Sequence, residues 1–249
     1  MEGSFGTTLN GIKIIDMIRK EDLKKMLYLD VETSCITESL EILRQENPRL
    51  ASLWTRRCKY YRTYPEYQEL SDDEIFLQKA SLEPEFARVV CVSFGVFSDS
   101  DSDYRMMSFY GSDEKEILTK TNKILNNAHI KSWKLCGHNI KGFDIPCLGK
   151  RMLFNDIEPS PNIQVWDKKP WEIPFLDTSE IFSFGSWVQQ KYLSLDLLSC
   201  SMGIASPKDD MDGSQVNSAY WEGRIKEISE YCEKDVRTVI SVLEKIAYI

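Results

Sequence analysis

Histidine and paired cysteines are scarce in this sequence. It contains only two histidines, and its seven cysteines include no C-x-x-C pair. Zinc sites in proteins are usually built from these two residue types at close spacing, so their scarcity disfavours a zinc site. An odd, dispersed set of cysteines indicates reduced thiols rather than a disulfide framework.

Long apolar runs are also lacking. No stretch approaches the roughly 18 apolar residues that a membrane-spanning helix needs. The first ten residues are polar and lack the basic and apolar regions of a secretion signal. We therefore expect a cytoplasmic protein that has no membrane partner.

Basic residues are fewer than acidic ones, 31 against 39, so the net charge is −8. This balance disfavours broad electrostatic binding to duplex nucleic acid. It does not exclude a nuclease, because acidic residues that hold metal ions contribute negative charge that the ions offset. The length of 249 residues and the apolar content of 42% are those of a globular protein.

The order of local patterns predicts an α/β fold, with a mixed β-sheet flanked by α-helices. We expect a single domain over residues 1–249, with 1–20 peripheral and a helical insertion or lid at 37–82 after the first core strand. An acidic turn near 99–103 separates two strands of a predicted hairpin. The predicted elements are a strand at 26–33, helices within 37–82, strands at 89–97 and 104–110, a helix from 112, a strand at 134–138, a helix at 144–154, a loop at 159–174, a strand at 175–178, and helices at 195–202 and 218–245.

Asp30 and Glu32 follow an apolar run at the end of the first predicted strand. Alternate residues of a strand point to the same face, so these carboxylates stand side by side. Two like charges so close repel each other unless a cation neutralises them. The pair is therefore either a divalent-metal site or two solvated acids where the strand ends in a loop.

Two further acids lie far along the chain. Asp144 follows a Gly- and Asn-containing loop at the start of a predicted helix, where it is either a site residue or a helix cap. Asp235 lies on the apolar stripe of the final helix, so its carboxylate faces the core and needs a partner. Tyr231 precedes Asp235 by one helical turn.

Carboxylates at three separated places, without histidine or cysteine ligands, suit Mg²⁺ or Mn²⁺. Such a set is typical of a two-metal site for phosphoryl transfer.

The chain resembles the 3′→5′ exonucleases of the DEDD superfamily, which have an RNase H-like fold. Its tyrosine-type branch includes the proofreading domains of family A and B DNA polymerases. Within this branch the chain resembles most the stand-alone exonucleases that are similar to the family B proofreading domain. The position five residues before Asp235 is Glu230 rather than histidine, which favours that branch. The matching motifs are 29–33 (LDVET), 137–144 (GHNIKGFD) and 231–235 (YCEKD).

The resemblance implies a role for each of these acids. Asp30, Glu32 and Asp235 would hold one ion. Asp30 would also bridge to a second ion, which Asp144 helps to place. Tyr231 would orient the attacking water. A neutral phenol with a pKa near ~10 is a poor base, so orientation is its better role.

Thr33, Asn139 and Phe143 are candidates for contact with the terminal nucleotide. Thr33 and Asn139 could equally be turn or capping residues. Asp177, a further acid at a strand end, either shapes the site from behind or caps a turn. We interpret His138 and Cys232, which lie near the motifs, as structural.

Arg56 and Arg57 belong to a cluster of basic and aromatic residues in the insertion that also contains Trp54 and Tyr61. Cations that alternate with rings suit a single strand, because phosphates pair with arginine and bases stack on aromatic rings. The alternative is a helix that packs its aromatic residues on the domain and exposes a solvated basic face.

The expected activity is hydrolysis of DNA from its 3′ end, most readily of single strands, with release of nucleoside 5′-monophosphates. An exoribonuclease on the same scaffold is a close alternative. A silent nucleic-acid-binding module is another. The chain is expected to work either alone or with a separate polymerase or a replication or repair protein, and proofreading would be its role in the second case.

Overall fold

The structure, a computed structural model, describes residues 18–98, 103–184, 193–206 and 211–247. The predicted peripheral position of most of 1–20 and the acidic turn at 99–102 lie outside the described residues.

A mixed five-stranded sheet forms the centre of the described structure, with strand order β3-β2-β1-β4-β5. The predicted hairpin is present, since β2 pairs antiparallel with both β1 and β3. On the other side β4 runs parallel to β1, and β5 runs parallel to β4. The strands are β1 (Met26–Cys35), β2 (Ala87–Phe97), β3 (Tyr104–Tyr110), β4 (Lys134–Gly137) and β5 (Leu176–Asp177).

Helices cover both faces of this sheet, so the predicted α/β class is confirmed. The predicted loop at 159–174 contains only two short 3₁₀ turns. The helices are α1 (Lys20–Leu23), α2 (Leu40–Glu46), α3 (Pro48–Tyr61), α4 (Asp72–Lys79), α5 (Glu114–Ile130), α6 (Asp144–Phe154), α7 (Thr178–Ser183), α8 (Leu195–Ser201), α9 (Val216–Trp221) and α10 (Ile225–Ala247).

The two faces of β1 belong to different cores because side chains alternate along a strand. Leu27 and Leu29 pack in the core that contains residues of α5 and α6. Tyr28 points the other way and packs against Val236 and Ile240 of α10. Asp30 and Glu32 share the face of Tyr28, so the fold directs their carboxylates toward α10.

The insertion after β1 is helical, as predicted, and has a small core of its own. Trp54 of α3 is fully buried there, and its ring meets Phe76 of α4 edge-on. Its Nε1–H donates to the carbonyl of Asp72 at 3.1 Å. The aromatic residues of the predicted basic-aromatic cluster therefore hold the insertion together.

The first strand is longer than the sequence indicated. The prediction ended it at Thr33, but β1 continues to Cys35 and pairs with the start of β2. A shift in register lies between Glu32 and Thr33. The acids therefore lie within the strand rather than at its exit into a loop, because β2 supplies partners to the following residues.

The predicted final helix at 218–245 is in fact two helices. Gly223 has a φ of +79°, a left-handed conformation that ends α9 before α10 begins at Ile225. The prediction failed because apolar periodicity is maintained on both sides of this glycine.

Within the described ranges, none of the helices has both the length and the apolar character needed to cross a membrane.

Candidate active site

The site forms where β4 separates from β1. Their parallel pairing ends at Tyr28 and Cys136, whereas β1 continues past Asp30 and Glu32. Gly137 permits the close approach just before the separation, since a Cβ atom there would lie 2.8 Å from the carbonyl oxygen of Leu29. The carboxyl end of β4 thus opens a cleft beside the acids of β1.

A tight turn after β4 forms one wall of this cleft. Asn139 adopts a left-handed φ of +57°, a conformation that asparagine tolerates. The buried carboxylate of Asp177 accepts hydrogen bonds from the backbone N–H groups of Asn139 and Lys141, at 2.8 and 3.1 Å. It also accepts one from Ser179 N at 2.9 Å, at the start of α7. Asp177 therefore holds the turn behind the site, and it also caps α7.

Asp144 is the first residue of α6, one position beyond its N-cap, Phe143. The alternative in which Asp144 caps this helix is therefore wrong. Its side chain is buried, and its pKa is raised to about 8, mainly by this burial. The negative charges of Asp177 and Asp235 contribute to the raised pKa, whereas hydrogen bonds from the backbone of Asp144 and Val31 oppose it.

Asp30 and Glu32 are both in an environment that opposes their ionisation. Burial of the carboxylate, together with the charge of Asp144, raises the pKa of Asp30 to about 8. The pKa of Glu32 is raised well above its usual range by burial and then by the charges of Asp30 and Asp235. Glu32 is buried and Asp30 is half-buried within the strand, so the alternative of two solvated acids at an exit into a loop is wrong.

Tyr231 and Asp235 reach this group from α10. Burial raises the pKa of the Tyr231 phenol, and the charges of Glu32, Asp235 and Asp30 raise it further. The phenol also hydrogen-bonds to the Asp235 side chain. The three separated motifs therefore meet in one electrostatically coupled group, as predicted.

The open part of the site is a cleft of about 460 Å³. Its walls include the predicted contact residues Thr33, Asn139 and Phe143, whereas Tyr231 and Asp235 are not among its lining residues. The cleft is lined by Asp30, Val31, Glu32, Thr33, Ser81, Leu82, His138, Asn139, Gly142, Phe143, Asp144 and Gly213.

Thr33 has a structural contact within the cleft. Its hydroxyl donates a hydrogen bond of 2.6 Å to the carbonyl of Ser81. Ser81 and Leu82, at the end of the insertion, line the same cleft. These residues were absent from the predicted site because a long segment separates them from β1 in the sequence, and their composition is not distinctive.

The sequence analysis also missed that Cys232 lies beside the acids of the site. Its thiol lies 3.2 Å from Oδ2 of Asp30 and 3.4 Å from the Asp30 carbonyl oxygen. One side-chain atom each of Asp30, Glu32 and Cys232 lie within 4.8 Å of one another, and Asp144 and Asp235 are outside this compact group. Helical spacing could have shown it, since residues 232 and 235 share a face of α10.

His138 has the predicted structural role. Its Nε2 lies 2.7 Å from the Leu193 carbonyl, to which it must donate, and its Nδ1 lies 2.8 Å from the Thr178 hydroxyl. Burial lowers the pKa of the imidazole and so favours its neutral form, in which Nε2 carries the proton and Nδ1 accepts from Thr178. Both ring nitrogens are engaged in holding the turn at the end of β4.

The predicted basic residues of the insertion are not part of the cleft lining. Arg57 forms an ion pair of 2.8 Å with Glu83, which connects α3 to the segment that follows Leu82. Arg56 is exposed on the same helix. A contact of Arg56 or Arg57 with substrate stays a prediction.

The donor set fits hard divalent cations. Among the described residues, no lysine or arginine forms an ion pair with Asp30, Glu32 or Asp144. Mutual repulsion of these buried carboxylates would be relieved by bound Mg²⁺ or Mn²⁺, which prefer carboxylate oxygens. The thiol of Cys232 adds a softer donor beside them.

A family model described as "Predicted 3'-5' exonuclease related to the exonuclease domain of PolB" matches residues 79–246. The match includes Asp144, Tyr231 and Asp235 and covers more than half of the chain. The chain belongs to this family. Asp30 and Glu32 precede the matched residues, so their place in the site depends on the structure described above.

The fold of this family member is that of a polymerase exonuclease domain. The chain is similar to the family B DNA polymerase from the hyperthermophilic archaeon Pyrobaculum calidifontis, with a TM-score of 0.52 and 13% sequence identity. The similarity covers 89% of this chain and 24% of the polymerase, so the chain spans about a quarter of that protein. The RNase H-like α/β fold is thereby confirmed. No curated protein matches the sequence.

Proposed function

We propose that the protein is a metal-dependent 3′→5′ exonuclease that acts on single-stranded DNA and releases nucleoside 5′-monophosphates. The observation that supports this most strongly is that Asp30, Glu32 and Asp144 line one cleft with Asp235 close behind them, and no described basic side chain neutralises the first three. Buried, mutually repelling carboxylates are costly unless cations bind them. The family match supports the reaction class.

The pairwise electrostatics of the site support an assignment of ligands to two ions. Burial is the largest cause for both Glu32 and Asp30; among neighbouring charges, those of Asp30 and Asp235 affect Glu32 most, and that of Asp144 affects Asp30 most. Asp30, Glu32 and Asp235 would hold one ion, and Asp30 with Asp144 the other. Such ions supply activation of water and stabilisation of the leaving 3′ oxygen.

Tyr231 holds and orients the attacking water in this proposal. Burial and then the charges of Glu32, Asp235 and Asp30 raise the pKa of its phenol, so it keeps its proton at neutral pH. A protonated phenol donates one hydrogen bond and accepts others, and it does not remove a proton from water. Tyr231 is therefore assigned to orientation and not to general base catalysis.

The walls of the cleft suit the end of a single strand. Phe143 offers an aromatic ring on which the terminal base can stack, and Asn139 offers an amide beside it. Thr33 is engaged with Ser81 through its hydroxyl, so its contact with the nucleotide would come through its backbone. We further propose that the whole chain is one exonuclease domain, which works alone or with a separate polymerase or repair protein.

Degradation of 5′-labelled oligonucleotides tests this proposal. Single-stranded DNA and an RNA of the same sequence are incubated with Mg²⁺, Mn²⁺ or EDTA, using wild type, Asp30→Ala and the surface control Glu38→Gln. We expect a ladder that shortens from the 3′ end, requires metal, is faster on DNA, and is lost only in Asp30→Ala. Absence of cleavage with every metal would refute the activity, and faster cleavage of RNA would replace the substrate with RNA.

A further inference from the structure

A second cavity lies at the amino end of β4, whereas the acidic cleft lies at its carboxyl end. It has a volume of about 390 Å³, within the range of about 300–1,000 Å³ for small-ligand sites. Lys134, the first residue of β4, is in its wall, whereas Gly137, the last, adjoins the acidic cleft. Three residue steps along a strand place the two sites about 10 Å or more apart.

The charge of this cavity contrasts with that of the chain. His129, Lys134 and Lys168 line it, and no aspartate or glutamate is among its lining residues. All three side chains are exposed. In a protein of net charge −8, a cavity with only basic ionisable groups in its wall is complementary to an anion.

The same wall contains an aromatic ring beside a cation. Trp133 lines the cavity, and Nζ of Lys131 lies 4.5 Å from the centre of its ring. A similar pair lies in the neighbouring loop, where Nζ of Lys169 lies 5.4 Å from the ring of Trp171. The Trp171 side chain is 75% exposed. Rings beside cations suit bases that stack and phosphates that pair with ammonium groups.

Asn162 adds a polar atom whose hydrogen bonding is incomplete. It lines the cavity, and its Nδ2 donates to the Leu125 carbonyl at 3.0 Å. Its Oδ1 is buried, and the described residues supply no hydrogen-bond donor to it. A buried acceptor without a donor is costly, but this oxygen is closed to solvent, so the amino group of a base would reach it only after the Asn162 amide turns toward the cavity.

We propose that this cavity is a second nucleotide-binding site, separate from the catalytic centre. The base stacks on Trp133, while Lys134 and Lys168 pair with the phosphate. The nucleotide is either a free mononucleotide or one unit of a nucleic acid strand. The proposal concerns binding alone, so it does not depend on the exonuclease activity.

Binding measurements in EDTA test the site without turnover. The probes are 2′-deoxyadenosine 5′-monophosphate, followed by calorimetry, and a fluorescein-labelled oligodeoxyadenosine of eight nucleotides, followed by anisotropy. The variants are Lys134→Glu/Lys168→Glu, Trp133→Leu, Asp30→Ala and the control Lys115→Glu/Lys226→Glu, which changes the total charge equally at exposed sites elsewhere. Circular dichroism verifies the fold of each variant, and the double lysine variant gives the decisive result if Trp133→Leu does not fold.

We expect at least one probe to bind, and the cavity lysine variant to weaken its binding by about tenfold or more, equivalent to about 1.4 kcal/mol. The control and Asp30→Ala should leave binding within about twofold of wild type. Binding of the mononucleotide would identify a free nucleotide as the ligand, and binding of the oligonucleotide alone would identify a strand.

Several outcomes would overturn the site. One is that neither probe binds, and another is that the control weakens binding as much as the cavity variant does. A change of affinity in Asp30→Ala by more than about twofold, in either direction, would place the nucleotide in the acidic cleft instead, because the Asp30 carboxylate repels a phosphate there in EDTA. Equal affinity for inorganic phosphate or for poly-glutamate would reduce the cavity to a general anion site.

Discussion

The side chains of the acidic site affect one another's pKa values, and Cys232 is an example because its thiol lies beside Asp30. Its thiol hydrogen-bonds to the Asp30 carboxylate and lowers the pKa of Asp30, against the stronger effect of burial. Removal of this donor should raise the pKa of Asp30 above about 8. Because an ion binds the deprotonated carboxylate, the variant should then need a higher pH to bind metal.

The comparison of Cys232→Ala with Cys232→Ser measures this effect. The acidic limb of the pH–rate profile should shift to higher pH in the alanine variant and return toward wild type in the serine variant, whose hydroxyl restores a donor. Cys58→Ala, which removes a buried thiol from the core of the insertion, is the control. Superimposable profiles for all four proteins would show that Cys232 only fills space.

A second prediction at this scale concerns Tyr231. Tyr231→Phe removes the hydroxyl that orients water but keeps the ring, so kcat should fall by about tenfold or more while KM stays within about twofold. Tyr110→Phe, at an exposed position on β3, should behave as wild type. A loss confined to KM would instead assign Tyr231 to substrate binding.

At the scale of elements, the separation of β4 from β1 determines where the cleft lies. A Cβ at position 137 would lie 2.8 Å from a backbone oxygen of β1, so Gly137→Ala must displace one strand. We expect it to lower the free energy of unfolding by about 1–3 kcal/mol. Urea denaturation with circular dichroism measures the change.

Gly149→Ala is the matched control because Gly149 lies within α6 and a Cβ there meets no atom within 4 Å. Alanine is favoured over glycine in a helix, so this variant should be more stable by about 0.5–1 kcal/mol. Equal effects of the two substitutions would show that the close approach of β4 to β1 is not a constraint.

The elements that the sequence predicts well are those with a clear local cause. The α6 helix starts at Asp144 after a loosened loop, and α8 begins after its capping Ser194, whose side chain accepts a hydrogen bond from the N–H of Leu197. The extension of β1 to Cys35 and the break at Gly223 were missed. The first depends on partners that β2 supplies, and the second on a single backbone conformation.

The same contrast applies to the candidate site. Asp30, Glu32 and Asp235 were predicted from strand and helix periodicity, which is a local property. The involvement of Ser81 and Leu82 could not be predicted, because it depends on the tertiary contact of the turn at 80–82 with β1, which includes the hydrogen bond from Thr33 to Ser81. The sequence left the role of Asp177 open, because the backbone N–H groups that donate to its carboxylate lie in the distant turn after β4.

At the scale of the whole molecule, the acids couple metal binding to stability. The pKa of Asp30 and of Asp144 is about 8 in the folded protein without metal, against about 4 in an unfolded chain. The folded state therefore keeps protons that the unfolded state loses between these values, and its stability should fall as pH rises from about 4 to 8. Bound Mg²⁺ or Mn²⁺ should reverse this loss.

Melting temperatures from pH 5 to 9, with Mn²⁺ or with EDTA, measure this coupling. We expect the increase caused by Mn²⁺ to grow with pH through about 8, because the ligands must be deprotonated. Asp30→Asn should be less sensitive to both pH and metal. A metal effect that is constant across the range would mean that these carboxylates are not the ligands.

The most direct test of the central claim is the identity of the first product released from a single strand with a labelled 3′-terminal nucleotide. With Mn²⁺ present, the account predicts that the label leaves as a nucleoside 5′-monophosphate in the first turnover. The rate should drop by about a hundredfold or more in Glu32→Gln. Release of a longer fragment or of a nucleoside 3′-phosphate would contradict the account, as would an unchanged rate in the variant.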